Sequence, residues 1–272
     1  LSSAQRRLWI LSQFEGANLA YNMPGVYEFE GDLDISSFQK AFDTLVDRHE
    51  ILRTVLKKDE SGEIRQWVKT TEAQAFKIDY QDLRKVKNQE SRVKDLVQIA
   101  TEKVFDLEEG PLLSAQLLQT AKNKYNFSYV MHHIISDGWS MGVLIKELLT
   151  LYNNYSQGKQ SPLEALSLQY KDYSAWQLRQ LADENSQEHK DYWLNQFSGE
   201  LPVLELPTDH TRPAIKTYNG NTITALLSKE KIQQLKAISQ SEGSTLYMGL
   251  LSLVNTLLYR YTHQEDIITG SP

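Results

Sequence analysis

The sequence predicts a mixed α/β (α+β) fold in which short strands alternate with amphipathic helices. Three observations carry that expectation. First, the strand-forming run Tyr125, Phe127, Tyr129, Val130 and Met131 leads through a turn into a helical stripe. In that stripe Met141, Leu144, Ile145, Leu148, Leu151, Tyr152 and Tyr155 recur at three- and four-residue steps. Second, a helical pattern over Asp34–Val46 is followed by two strand-like runs, Leu52–Lys57 and Ile64–Val68. Third, the C-terminal part reads strand, helix, helix, strand, which partly echoes the helix-then-strand order of residues 34–57.

Taken in order, Leu1–Leu11 reads as an opening helix, followed by a loop through Gly16 and Asn18 to Pro24. Val26–Glu30 alternates as a strand does. The helix from Asp34 buries Ile35, Phe38, Ala41, Phe42 and Leu45 on one face, with Asp34 or Ser36 as its cap. The turn Asp59-Glu60-Ser61-Gly62 joins the next two strands as a hairpin. Arg92–Val104 is amphipathic through Val93, Leu96, Val97 and Ala100, and Gly110-Pro111 separates it from a strand over Leu112–Gln119. That strand pairs with Tyr125–His132 through Thr120–Lys124. Beyond the helix from Gly138, Ser156–Pro162 reads as an exposed linker and Gln169–Phe197 as a polar, aromatic-rich helical segment. Gly199–Pro213, with three prolines, reads as an extended crossover. Strand Thr222–Leu227, helix Lys229–Ser239, helix Thr245–Tyr261 and strand Ile267–Gly270 complete the series.

Composition narrows the function classes. The 272 residues are 40% hydrophobic, enough for a sizeable core, and the net charge of -6 with no basic run argues against nucleic-acid binding. Without cysteine there is no disulfide framework, thiolate metal site or cysteine nucleophile. The apolar run Leu246–Leu258 is broken by Ser252 and Asn255 and is too short to span a bilayer. No secretory leader is legible, the expected compartment is cytoplasmic, and Leu1 in place of Met is expected of a segment of a longer chain.

The stretch Val130–Ser140, V-M-H-H-I-I-S-D-G-W-S, concentrates the chemistry. Histidines beside apolar residues are most often buried, hydrogen-bonded core groups, and an aspartate before a helix is most often an N-cap. Adjacent residues of a strand point to opposite faces, however. One of His132 and His133 can therefore be held in the structure while the other faces a cavity. Asp137 stands close enough to brace the turn.

Met131-His132-His133-Ile134-Ile135-Ser136-Asp137-Gly138 resembles the core motif of condensation domains of nonribosomal peptide synthetases, which belong to the chloramphenicol-acetyltransferase-like acyltransferases. Leu1–Leu11 resembles the family's opening motif, Arg48–Thr54 its second and Tyr170–Gln177 its fourth. Four motifs in order over most of the chain make the resemblance specific. It implies two similar lobes facing each other across a tunnel, with mixed sheets flanked by helices. On that reading residues 1–177 form the N-terminal lobe, and residues 178–272 form a crossover and the first part of a C-terminal lobe. The later motifs are absent, so this chain alone is expected to be inactive in condensation.

The resemblance also implies an activity: joining an acyl or peptidyl thioester to the amino group of a second, thioester-bound amino acid. Both substrates ride on 4'-phosphopantetheine arms of donor and acceptor carrier proteins, with an adenylation domain as neighbour and no cofactor or metal bound by the domain itself. His133 matches the tunnel residue, and His132 the structural residue on the opposite side. Asp137 matches a brace, paired with Arg53 of the second motif. Gly138 would let a pantetheine arm approach the backbone. Ser136 and Ser140 lack a nucleophile-elbow context. His49 reads as structural or solvated; His189, His210 and His263 read as surface residues; Tyr170, Tyr173 and Trp176 read as packing between lobes. The opening S-A-Q-R-R-L-W and Tyr21-Asn22-Met23-Pro24 are most similar to members taking an L-configured donor. The competing readings are a coenzyme A-dependent acyltransferase, an epimerization domain, and a non-catalytic module that docks carrier proteins.

Overall fold

Ser2 opens helix α1 (Ser3–Ser12) with a capping box: its hydroxyl accepts from the Gln5 N–H, and the Gln5 side chain accepts from the Ser2 N–H. The computed structural model describes residues 1–14, 17–74, 76–183, 186–211, 213–214, 221 and 223–271. They divide between two compact units, Leu1–Ser186 and Gln187–Pro272.

In the first unit, a short helix α2 (Ala17–Ala20) precedes strand β1 (Asn22–Glu30), so the expected loop to Pro24 is shorter than its sequence implied. Pro24 is accommodated because β1 is an edge strand, where a missing N–H costs no ladder bond on the outer side. Gly16 lies outside the described residues. Helix α3 (Ile35–Arg48) is capped by Asp34, whose carboxylate accepts from the N–H and hydroxyl groups of Ser36 and Ser37. A 3-10 turn over Glu50–Arg53 leads into the hairpin of β2 (Thr54–Lys58) and β3 (Ile64–Val68). Short helix α4 (Thr71–Gln74) and strand β4 (Asp79–Asp82) follow, then helix α5 (Gln89–Thr101). Strands β5 (Leu113–Ala121) and β6 (Lys124–His132) form the second hairpin. Helices α6 (Gly138–Tyr155) and α7 (Tyr170–Ala182) close the unit.

The main sheet has the order β1-β6-β5-β4, antiparallel except for the parallel pair β4–β5. Strand β4 escaped the sequence reading because Asp-Tyr-Gln-Asp lacks the alternation of a half-buried strand. Its pairing comes instead from its place beside β5. On one face of the sheet, α3 and α6 pack over Leu117, Phe127 and Tyr129. Phe127 sits in an aromatic cluster, 5.2 Å from Phe38, 5.7 Å from Phe42 and 5.8 Å from Phe29 between ring centroids. A Cβ at Gly25 would overlap the Tyr129 ring opposite it, so glycine lets that ring lie across β1. On the other face α5 covers Leu118 with Leu96, Val93 and Val97.

The second unit contains helices α8 (Gln187–Gln196), α9 (Lys229–Ser241) and α10 (Leu246–Thr262). The segment Gln169–Phe197 is therefore two helices, α7 and α8. Ser228 and Thr245 cap α9 and α10 by accepting from Lys231 and Met248 N–H groups. The Gln264 amide donates to the Val203 carbonyl and accepts from the Glu205 N–H, which pins part of the extended crossover. The two expected strands do not form: 223–227 and 267–270 carry no strand pairing, and Thr222 lies outside the described residues. A strand is defined by the neighbour that takes its hydrogen bonds, and among the described residues of this unit none does. Among the described residues no helix is long and apolar enough to cross a membrane.

Phe127→Ala should lower unfolding free energy by about 3–5 kcal/mol, because the surrounding rings cannot collapse into the space it leaves. Denaturant titration of the variant against the parent checks this. A cost near zero would mean that the aromatic cluster is not the centre of the core.

Candidate active site

The end of β6 is held by bonds on both sides. The His132 N–H donates to the Leu112 carbonyl (3.0 Å), which prolongs the ladder with β5. The His133 N–H then crosses to the other neighbour and donates to the Tyr21 carbonyl (2.8 Å). The alternation of a strand therefore continues through this dipeptide, and the two side chains part company. His132 is fully buried and His133 is exposed.

His132 lies between the rings of Tyr21 and Phe105, each 6.4 Å away between centroids. Its Nδ1 accepts the Ile134 N–H at 3.1 Å. A nitrogen that accepts carries no proton, so the neutral ring keeps its hydrogen on Nε2. Burial, reinforced by the charge of His133, pushes the His132 pKa down to about 4. The ring is thus a neutral acceptor near pH 7.

The turn is closed by Ile135 N–H donating to the His132 carbonyl (3.1 Å) and Ser136 N–H to the His133 carbonyl (3.4 Å). Asp137 then caps α6: its carboxylate accepts from the Ser140 N–H (2.7 Å) and the Ser140 hydroxyl (2.5 Å). Those bonds, ahead of a smaller contribution from His133, hold the carboxyl below the usual aspartate range. With its hydroxyl committed to Asp137, Ser140 is not poised as a nucleophile. Gly138 does not need its glycine for backbone reasons, but an added Cβ there would enter open space.

The expected ion pair between Arg53 and Asp137 is not formed. Arg53 donates from Nη1 to the Lys69 carbonyl (2.6 Å) and from Nη2 to the Asp47 carbonyl (3.5 Å). The carboxylate of Asp137 is already satisfied by the first turn of its own helix, which removes the electrostatic demand for a distant guanidinium.

Two features were missed in the sequence. Glu147 on α6 receives Arg48 Nε at 3.1 Å and lies 2.6 Å from His49 Nε2, so His49 is a partner in an ionic cluster. Burial opposes the Glu147 charge, but the bonds from His49 and Arg48 outweigh it and hold the carboxyl below its ordinary range. Gln5 is 1% exposed and donates its Nε2 to the Ile134 carbonyl at 3.2 Å, across 129 residues. The only signal for either was position: Gln5 in the opening motif and Glu147 three residues after Leu144 on the apolar helix. Tyr170 bonds Ser2 through their hydroxyls at 2.9 Å, and Tyr173 continues to Trp176 at 5.8 Å between rings. His189, His210 and His263 are exposed.

The neutral His132 makes stability depend on pH. Its folded pKa of about 4 lies below the 6.5 of an unfolded histidine, so the unfolded chain binds the extra proton between those values. The contribution is complete above about pH 6.5 and is lost as pH falls toward 4, by roughly 3 kcal/mol over the window. Unfolding measured from pH 4 to 7 should show that loss in the parent and a flatter profile in His132→Asn. Parallel profiles would exclude His132 as the buried neutral group.

Comparison with known proteins places this geometry in a family. The chain is 42% identical over 275 residues to part of the linear gramicidin synthase of Brevibacillus parabrevis, covering 100% of this chain and 4% of that protein. It is 39% identical over 272 residues to gramicidin S synthase 2 of Aneurinibacillus migulanus, covering 100% of this chain and 6% of that one. It thus spans about a twentieth of the length of these relatives. A solved structure of the first condensation domain of the calcium-dependent antibiotic synthetase, in complex with a substrate analogue, shares the fold with a TM-score of 0.79 at 20% identity. That match covers 98% of this chain and 62% of the other. The family model described as Condensation domain matches residues 1–272, from the capping box of α1 through the histidine turn and beyond α10. The chain belongs to the condensation-domain family.

Proposed function

We propose that the protein carrying this chain forms a peptide bond between a donor acyl or peptidyl thioester and the amino group of an acceptor aminoacyl thioester. The observation that carries the reading is the divided histidine pair: His133 is exposed on a turn held by hydrogen bonds, while His132 beside it is buried and neutral. In the reaction the acceptor nitrogen attacks the donor carbonyl, the C–N bond forms, the C–S bond breaks, and the amine proton is lost as the thiol leaves. His133 is the catalytic residue, hydrogen-bonding the attacking amine, accepting its proton, or both.

Magnitudes favour positioning as the larger effect. An α-amino group titrates at about 7.7–8.0, so neutral amine near pH 7 costs on the order of 1 kcal/mol. Correct placement of two reactants can supply roughly 7–11 kcal/mol. Proton removal during bond formation adds about 10²–10⁴-fold. Hence the residues that hold the turn matter alongside the one that faces substrate. His132, Asp137, Gly138 and Arg53 are assigned to that supporting role: His132 as acceptor for Ile134, Asp137 as the cap of α6, and Arg53 as donor to the Lys69 and Asp47 carbonyls. The open space at Gly138 supports close passage of a pantetheine arm.

The substrates are assigned to 4'-phosphopantetheine arms of donor and acceptor carrier proteins, with an adenylation domain in the same polypeptide and an L-configured donor. Residues 1–177 are assigned to the N-terminal lobe and 178–272 to the crossover and the first part of the C-terminal lobe. The compartment is assigned as the cytoplasm, and neither nucleic acid nor membrane is a partner. The relatives' names, which are those of gramicidin synthases, support a role in peptide antibiotic biosynthesis.

In the full-length protein, with both carriers charged, His133→Ala should lower condensation by about 10²–10⁴-fold. Because the side chain is exposed, its melting temperature should stay that of the parent. Near-parental turnover with several acceptors would exclude both roles assigned to His133.

A further inference from the structure

We infer that Gln5 is a positioning residue for the reaction, acting through the Ile134 carbonyl on the turn that presents His133. This rests on the assignment of His133 as the group that meets substrate.

The turn leaves three peptide planes to be oriented around His133 and Ile134. The plane before His133 is fixed by its N–H on the Tyr21 carbonyl, at 2.8 Å. The plane after it is fixed by the Ile134 N–H on His132 Nδ1, at 3.1 Å. The next plane carries the Ile134 carbonyl, and Gln5 Nε2 donates to it at 3.2 Å. Ile134 is therefore gripped at both its N–H and its carbonyl. With that second grip released, the buried carbonyl would lose its donor and the turn would gain a degree of freedom one residue from His133.

Gln5 has chemistry to spare for this task. A capping box needs only an acceptor at this position, and Gln5 supplies it with Oε1 to the Ser2 N–H at 3.2 Å. Glutamate would cap equally well, yet only the amide adds a donor for Ile134. Gln5 is itself held: its backbone N–H donates to the Ser2 hydroxyl, which is 2.9 Å from the Tyr170 hydroxyl of α7. The clamp thus runs from α7 through the start of α1 to the histidine turn.

The test is condensation kinetics in the full-length protein with two loaded carrier proteins. Gln5→Glu keeps the cap acceptor and the shape but replaces the donor with an oxygen facing the Ile134 carbonyl. Gln5→Met keeps the length and places no charge there. For the variants that fold, kcat should fall at least 10-fold while KM for each carrier stays within two-fold. Combined with His133→Ala, either substitution should add less than two-fold to the loss. The inference is overturned by folded variants with parental kcat, by a loss confined to KM, or by full additivity with His133→Ala. It is equally overturned if both variants fail to fold, since Gln5 would then hold the unit together rather than direct His133. If instead His133→Ala itself condenses normally, the assignment of His133 fails. Silent Gln5 variants beside an inactive His133→Ala would sink only the role of Gln5.

Discussion

His132 can be buried at the end of β6 only as a neutral ring, and a neutral ring has one nitrogen able to accept. That acceptor takes the Ile134 N–H, so the chain turns immediately after His133 instead of continuing as strand. The rest of the site follows from this bond. The turn ends at Asp137, Asp137 starts α6, and α6 lays Leu144, Leu148 and Leu151 onto the sheet core. The exposed imidazole owes its place to its buried neighbour.

The charged groups around the site are used locally, each by the nearest donor. Asp137 is taken up by Ser140, three residues away, and Arg53 by two carbonyls close to it in sequence. Glu147 is the exception, because it joins elements far apart in the chain. With Arg48 and His49 at the C-terminal end of α3, it ties that helix to α6 across the core. Partly buried charges of this kind are costly unless matched, so the cluster acts to fix the register of two helices more than to add stability.

The motif residues meet in the fold for a reason that their order along the chain conceals. Ser2 and Gln5 reach Tyr170 and Ile134; the Gln169 side chain accepts from the Glu50 N–H and donates to the Arg48 carbonyl; Gln66 donates to Ser174. These bonds are mostly amides on backbone carbonyls and N–H groups. They orient peptide planes with little dependence on pH or salt, which suits a site whose work is placement.

What the sequence determined by itself was local and periodic. The apolar stripes of α3 and α6, the cap at Asp34, the β2–β3 hairpin and the opposite facing of His132 and His133 all follow from spacing along one segment. Tertiary structure decided whatever needed a partner distant in the chain. β4 is a strand because β5 lies beside it, whereas 223–227 and 267–270 are not strands because among the described residues no neighbour takes their bonds. Arg53 and Asp137 stay apart because each carries a nearer partner, and Gln5 reaches Ile134 across 129 residues of intervening chain. Residue type sets which hydrogen bonds a side chain can make; only the packed chain sets which donor arrives first.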